Sequence, residues 1–245
     1  MVRTRCAGAR GPRVGAASRV RVSAAVLVAA VVVAGCGSSG GAPAARDAVL
    51  RADDVPAGYK PVTHGAFEPQ LSKAEEDALF GCAQLPAWFI FRDDADHGGT
   101  RADSPDFTYG RFAGGPAQRI ASKVRIAPSA DDVRIPLAGL DHDAVADCFA
   151  PLFRAGFARG LGGRPEVTTS DFAVRRRSLG GIGDQSAAFQ ATATMHTGGG
   201  PVHQDLNLYF VRAGRALVTM YAAGFDSPTD QRLAEQLLSI MASRL

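Results

Sequence analysis

Polar and hydrophobic residues alternate along several segments of the chain from residue 107 onwards. Between residues 119 and 126, Ile120, Val124 and Ile126 share one parity, while arginine and lysine residues occupy the other. Similar segments cover residues 167–176, 186–196, 204–211 and 216–222, and a weaker one covers residues 107–112. A period of two is typical of half-buried strands, and short connections favour antiparallel pairing. The pattern predicts about six strands, the last four in a meander, with 107–112 beside 119–126.

Helical signals lie before, between and after these strands. Ser72 and Glu75 have the spacing of a capping box, which predicts a helix that starts at Ser72 and carries Cys82 near its end. Residues 141–161 repeat apolar side chains every three or four positions, namely Val145, Phe149, Leu152, Phe153 and Phe157. Pro228 is expected at the first position of a final helix. A short helix is also expected over residues 47–53, and an exposed loop over residues 92–106.

Strands and helices do not alternate in β-α-β order along the chain. The expected fold class is therefore α+β, with helices packed on an antiparallel meander sheet. The mid-chain helix over residues 141–161 and the C-terminal helix are its principal helices.

The first 35 residues have the composition of an export signal. Residues 22–34 form a run of 13 residues with one polar member, preceded by a segment rich in arginine. This length matches a secretory h-region and is too short for a membrane span, which needs about 20 apolar residues. We expect residues 1–35 to be a signal peptide that is removed.

The end of this run, Val33-Ala34-Gly35-Cys36, resembles the lipobox of bacterial lipoproteins, with valine where leucine is commonest. In that family the cysteine receives a diacylglyceryl group and becomes the new N-terminus, so the resemblance implies lipid attachment at Cys36. Glycine and serine dominate the next residues, as in flexible tethers. We expect a lipidated tether over residues 36–45, one extracytoplasmic domain over residues 46–245, and anchoring to the cell membrane. An ordinary signal peptide with an incidental cysteine, or a retained membrane helix, is the alternative.

Loss of the signal segment changes the charge of the protein. The whole chain carries 27 basic and 24 acidic residues, a formal charge of +3. Residues 1–35 contain six arginines and no acid, so the remainder has 21 basic residues against 24 acidic ones, a charge of −3. A domain with this balance has no electrostatic footprint for nucleic acid, and no nucleic-acid partner is expected.

Cysteines occur at positions 6, 36, 82 and 148. Cys6 leaves with the signal and Cys36 carries the lipid, so the exported domain keeps Cys82 and Cys148. Since the compartment outside the membrane is oxidising, these two are expected to form a disulfide. A metal site or a reactive thiol is the alternative, with His142 six residues before Cys148.

Complete catalytic and nucleotide-binding motifs are absent from the expected domain at 46–245. The letters of G-x-G-x-x-G at 35–40 and of G-x-S-x-G at 37–41 fall within the lipobox and the Gly/Ser tether, and no S-x-x-K, H-E-x-x-H or P-loop motif occurs, so neither an enzyme nor a cofactor is expected. The glycine-rich residues 160–163 and 180–184 lack the full spacing of a phosphate loop and predict a helix stop and a strand-entry turn. Asp93, Asp94 and Asp96 lack calcium-loop spacing and predict a solvated turn.

His196 and His203 flank a glycine-rich hairpin tip, with Asp205 close behind. If the three side chains met, they would form a two-histidine, one-carboxylate metal site. The mobile tip and the lack of a fourth ligand favour two solvent-exposed histidines and no metal. A cell-envelope hydrolase that uses one of these histidines or an unpaired cysteine is an alternative function.

Two other side-chain sets are candidate binding surfaces. The arginines at 175–177 suit an anionic group, but successive side chains of a strand alternate faces, so at most two point together and a solvated face is expected. Phe149, Phe153 and Phe157 either line a lipid pocket or belong to the core, and the core is the expected place.

Several short motifs occur in a recognisable order. They are the lipobox, the Gly/Ser tether, Leu-Arg-Ala-Asp-Asp-Val-Pro-Ala-Gly-Tyr at 50–59, Cys148-Phe149, and Gly183-Asp184-Gln185-Ser186. Together they resemble lipoproteins of high-GC Gram-positive bacteria and are similar to the extracellular sensor domains of receptor Ser/Thr kinases. A bias of 24 arginines to three lysines fits a GC-rich genome.

The resemblance implies an antiparallel sheet with helices around a cleft, and a sensor-like or ligand-binding domain without catalysis. That family implies two disulfides, whereas this domain has cysteines for one. We expect the cleft between the 141–161 helix and the sheet, holding a small molecule or a lipid that the sequence does not identify. A docking partner of another envelope protein is a further alternative, and the sequence does not indicate an oligomeric state.

Overall fold

The computed structural model describes residues 41–62, 71–86, 89, 98–111, 117–160, 168–226 and 228–245. The expected signal peptide, Cys6, Cys36 and the acidic residues Asp93, Asp94 and Asp96 lie outside the described residues.

Eight strands and six helices are formed by the described residues. The strands are β1 (Lys60–Val62), β2 (Thr100–Asp103), β3 (Asp106–Tyr109), β4 (Gln118–Ile126), β5 (Thr168–Arg177), β6 (Gln185–Thr197), β7 (Gly200–Ala213) and β8 (Ala216–Phe225). The helices are α1 (Gly41–Ala48), α2 (Lys73–Ala83), α3 (Asp131–Gly139), α4 (Val145–Cys148), α5 (Ala150–Gly160) and α6 (Gln231–Ala242). The α+β class is confirmed, with two more strands than the approximate number predicted.

One antiparallel sheet contains all eight strands in the order β1-β3-β4-β8-β7-β6-β5, with β2 also paired to β4. The last four strands form the predicted meander, and β3 lies beside β4 as predicted. The longest-range pairing joins β4 to β8, from Gln118 opposite Gly224 to Ile126 opposite Ala216. This pairing connects the two halves of the chain.

Helices cover both faces of the sheet, which gives the domain two cores. The first core lies under α2 to α5 and contains the buried rings of Phe149, Phe189 and Phe210. The second core lies under α1 and α6 and contains Tyr209, Met220 and Leu237, among others. Successive residues of β6, β7 and β8 supply the two cores in turn, because side chains alternate faces along a strand.

Sequence and structure differ at several helix ends. The 141–161 helix is two helices, because Pro151 has no N–H to continue the hydrogen bonding of α4 and lies instead in the first turn of α5. The C-terminal helix starts at Gln231, capped by Asp230 through the N–H of Arg232 rather than at Pro228. Helix α3 has no counterpart among the predicted elements, and it contains Pro136 in its interior and ends at Gly139.

Two expected irregular segments are partly regular. Helix α1 starts at Gly41, so the last five residues of the expected 36–45 tether are helical, and Ala45 and Ala48 are fully buried in the second core. Strand β2 and the first residue of β3 lie within the expected 92–106 loop. None of the helices in the described ranges is long and apolar enough to cross a membrane.

Candidate functional site

Aromatic side chains fill the interface between the 141–161 region and the sheet. The rings of Phe149 and Phe189 stack with centroids 4.4 Å apart, and Phe157 meets Phe172 edge-on at 5.8 Å. Phe149, Phe153 and Phe157 are all buried in the first core. The core interpretation of the phenylalanines is confirmed, since their rings pack closely against one another and the sheet. The cleft expected between the 141–161 helix and the sheet stays a prediction.

Cys82 and Cys148 form a disulfide, with their Cα atoms 5.6 Å apart. The Ser72 hydroxyl accepts the N–H of Glu75 and the Glu75 carboxylate accepts the N–H of Ser72, so the predicted capping box starts α2 and Cys82 lies near its end. Cys148 is the last residue of α4 rather than part of one long helix. In this bonded state neither sulfur is a nucleophile or a metal ligand, and His142 is exposed nearby.

The opposite face of the sheet carries a row of polar side chains. The β6–β7 register places Gln190 opposite Asn207, Thr192 opposite Asp205, and Thr194 opposite His203. All six lie on the face that is covered further along by the second core, because Ala188 and its partner Tyr209 belong to that core. Polar residues on a covered face are informative, since burial of a polar group is costly unless it is hydrogen-bonded.

A cavity of about 470 Å³ opens over this row. Its walls are strands β6 and β7, the irregular part of β5, and the segment that leads into α6. We call it the polar cavity, and it is lined by Asp171, Gln190, Thr192, Ala193, Thr194, His203, Gln204, Asp205, Asp226 and Pro228. Seven of these ten residues carry a carboxylate, amide or hydroxyl, so the site suits a polar ligand.

Asp205 is the most unusual residue of the polar cavity. It is 6% exposed, and its Oδ2 accepts a hydrogen bond from the side-chain amide of Asn207, while its Oδ1 is buried without a hydrogen-bond partner. Burial raises the pKa of Asp205 to about 6, although the Asn207 amide, the nearby Thr229 backbone and Gln190 side chain, and the charge of Arg177 oppose that rise. The surrounding polar groups and charges therefore offset only part of the free-energy cost of burying the ionised carboxylate.

Two arginines reach the same amide beside the cavity. Arg175 donates from Nε and Nη2 to Oε1 of Gln190 at 2.9 and 2.7 Å, and Arg177 donates from Nη1 to that oxygen at 2.8 Å. Arg177 also donates to the side chain of Gln231 in α6. Arg176 instead pairs with Asp141. The prediction that at most two of these arginines share a face is confirmed.

Left-handed backbone positions place the two outer carboxylates of the cavity. The β5–β6 register shifts between Ser170 and Ala173, and Asp171 in this bulge has a φ of 52°. Asp226, with a φ of 49°, ends β8 by accepting the His203 N–H at 2.8 Å and donating its own N–H to the His203 carbonyl at 2.7 Å. Aspartate tolerates this conformation better than most residues.

The two histidines have different partners and do not form a metal site. His203 Nδ1 lies 3.3 Å from the Thr194 hydroxyl, and His196 Nε2 lies 2.8 Å from the Ser170 hydroxyl. Over the described ranges, no group of three or more histidine, cysteine, aspartate or glutamate side chains could hold a metal ion.

The Ser170 hydroxyl lies within hydrogen-bond reach of both His196 and Asp171, but the three residues are not in catalytic order. The Ser170 hydroxyl donates to Asp171 Oδ2 at 3.0 Å. The Ser170 hydroxyl has one proton, and the hydrogen bond to Asp171 takes it. His196 must therefore donate to the Ser170 oxygen rather than accept from it. A nucleophilic serine needs the opposite direction, with the carboxylate on the histidine.

Residues 180–184 form the predicted strand-entry turn. Gly183 has a φ of 66°, and a Cβ there would lie 2.4 Å from the Arg212 carbonyl oxygen. Asp184 accepts the Gly214 N–H at 2.7 Å, which connects this turn to the β7–β8 turn. The Gly183-Asp184 motif is accounted for by structure alone.

No protein-family model matches the chain, and no curated protein matches it either. Among solved structures, the extracellular domain of PknH from Mycobacterium tuberculosis is 15% identical over 76% of this chain and 97% of its own, with a TM-score of 0.36. LpqN of the same organism, involved in cell envelope biogenesis, is 9% identical over 77% and 78%, with a TM-score of 0.26. At these TM-scores neither similarity assigns a function to this chain.

The polar cavity was not anticipated from the sequence. The alternating pattern predicts only that Gln190, Thr192 and Thr194 form the polar side of a strand, and the sequence places Asp205 as a carboxylate near His203. One signal was available: residues 206–211 are apolar on both parities except at Asn207, which indicates that both sheet faces are covered. Polar residues next to a strand segment that is covered on both faces are therefore candidates for a binding site.

Proposed function

We propose that this protein is an extracytoplasmic lipoprotein, anchored to the cell membrane through Cys36, whose domain binds a small polar ligand without converting it. The anchoring is supported by the h-region of residues 22–34 and the lipobox that ends at Cys36. A single disulfide in the described domain suits an oxidising compartment.

The binding function is carried by one observation, the buried Oδ1 of Asp205 in the wall of the polar cavity. Buried polar atoms in native proteins are almost always hydrogen-bonded, and an unpaired one costs about 1–3 kcal/mol. A ligand in the cavity that donates to this oxygen would remove that cost.

Membrane anchoring is tested by replacing the lipidated residue. The Cys36→Ala variant is expected to lose incorporation of labelled palmitate and to leave the membrane fraction of the producing bacterium. Cys6→Ala is the matched control, since Cys6 precedes the expected cleavage site and its loss leaves the lipid in place. Equal labelling and membrane association of the Cys36→Ala and unmodified proteins would contradict the anchor.

Ligand binding is tested on protein purified from its native envelope. Native mass spectrometry is expected to show a bound small molecule that Thr192→Leu, which narrows the polar cavity, removes. Thr168→Leu, on an exposed position of β5, is the control and is expected to retain it. The absence of any small molecule from all three proteins would contradict a binding function.

A further inference from the structure

The polar cavity has a marked excess of negative charge. Asp171, Asp205 and Asp226 are three of its ten lining residues. Within the described part of the chain, no lysine or arginine lines it, and His203 is its one basic side chain. An excess of acids alone defines no ligand, because solvated acidic surfaces are common.

Asp205 supplies a separate reason to expect a donor in this place. The residue is 6% exposed, so more than nine-tenths of it is buried, and its Oδ1 has no hydrogen-bond partner. The Oδ2 atom is already occupied by Asn207. A buried carboxylate oxygen that lacks a partner needs a donor, and a positively charged donor suits it best.

The nearby guanidinium groups are engaged elsewhere. Arg175 and Arg177 converge on the Gln190 carbonyl oxygen, and Arg177 also reaches Gln231. Arg177 acts on the carboxylate of Asp205 through space, as a nearby positive charge. The negative charge in the cavity wall is therefore left for a group that enters from outside.

We propose that the polar cavity binds a ligand bearing a protonated primary amine, whose ammonium group donates to Oδ1 of Asp205. This inference deepens the proposed binding function and rests on it. An ammonium group has three donors, and Thr192 and Thr194, whose hydroxyl groups can accept hydrogen bonds, are among the residues that line the same cavity. Asp171 and Asp226 favour entry of a cation.

The polar cavity suits a metal ion less well than it suits an ammonium group. A bound calcium ion takes about 6–8 oxygen ligands and a magnesium ion needs near-octahedral geometry. In the described residues the carboxylates do not gather into such a group. A monovalent organic cation needs only one buried carboxylate and a few neutral acceptors.

The test compares amines with neutral molecules of the same shape. The probes are putrescine against the diol of equal chain length, and glucosamine against glucose, each titrated into the folded domain at pH 7.5. Binding is followed by calorimetry and by NMR shifts of the backbone N–H groups of His203 and Thr229. Asp205→Asn keeps the size of the side chain and removes its charge, and Asp131→Asn, on an exposed residue of α3, is the matched control.

The expected result is that at least one amine binds, that its neutral counterpart does not, and that Asp205→Asn weakens its binding by about tenfold or more. Asp131→Asn is expected to bind as the unmodified domain does. Binding of amine and neutral probe with equal affinity, binding unchanged in Asp205→Asn, or no binding of either amine would overturn the inference. The mass-spectrometric test above judges the proposed function separately, since a neutral ligand retained there would leave binding intact.

Discussion

At the scale of single residues, Asp205 lowers the stability of the fold at neutral pH. The pKa of its carboxyl is about 6 in the folded protein, against about 3.9 in an unfolded chain. Because the folded state favours the protonated form, the free energy of unfolding is highest below about pH 4 and falls as the pH rises from there to about 6. His203 and Arg177 are the basic groups on β7 and β5 near it.

Asp205→Asn is accordingly expected to raise the free energy of unfolding by roughly 1–3 kcal/mol at pH 7.5 and much less at pH 4. Urea unfolding at the two pH values measures both changes. Asp131→Asn, an exposed carboxylate, should show no comparable difference between them. A substitution at Asp205 that destabilises the domain equally at both pH values would show that its carboxylate is a structural acceptor.

Gly183 and Gly181 form a matched pair for a second residue-scale prediction. Both have left-handed backbone, with φ of 66° and 55°, but a Cβ at Gly183 would meet the Arg212 carbonyl oxygen at 2.4 Å, whereas one at Gly181 meets nothing within 4 Å. Gly181→Ala should cost about 1 kcal/mol for its backbone conformation. Gly183→Ala should cost about 3 kcal/mol or more, because the strands must also separate. Equal costs in thermal unfolding would show that the close approach is not retained in solution.

At the scale of elements, the Cys82–Cys148 disulfide joins α2 to α4 on one face of the sheet. It closes a segment of 66 positions, for which the chain-entropy account gives about 4 kcal/mol. Replacing both cysteines by alanine should lower the free energy of unfolding by about 3–4 kcal/mol. Guanidinium unfolding with and without reductant measures this, and the unmodified domain should approach the variant when reduced. A variant that remains sensitive to reductant would point to another thiol.

The sequence was informative about elements whose signals are local. The meander of β5 to β8 and the capping box at Ser72 depend on neighbouring residues, and both agree with the structure. Helix α3 was missed because burial of Val133 and Leu137 against the sheet outweighs Pro136. The cavity was missed for a tertiary reason, since nothing local shows that the segment before α6 comes to lie against Asp205.

At the scale of the whole molecule, strand β8 is needed by both halves of the chain. It lies between β4 and β7, and α6 follows it to cover the second core. A chain that stops at Ala213 therefore lacks the strand that joins the two halves, and should not fold. Circular dichroism and limited proteolysis should show an unfolded, rapidly cleaved product. A chain that stops at Ala242, which keeps β8 and α6, is the control, and cooperative unfolding by the shorter chain would contradict the prediction.

The pairing of β4 with β8 also sets an order of events for a chain delivered from its N-terminus. Residues of β4 appear roughly a hundred positions ahead of their partners, which at about 5–20 residues per second means a wait of several seconds or more. Hairpins such as β6–β7 close in about 1–10 μs. During that interval β4 presents unpaired backbone groups to any other chain nearby. Substitutions that raise the tendency of β4 to pair with other chains should therefore reduce the yield of folded protein, even where they do not change the free energy of unfolding.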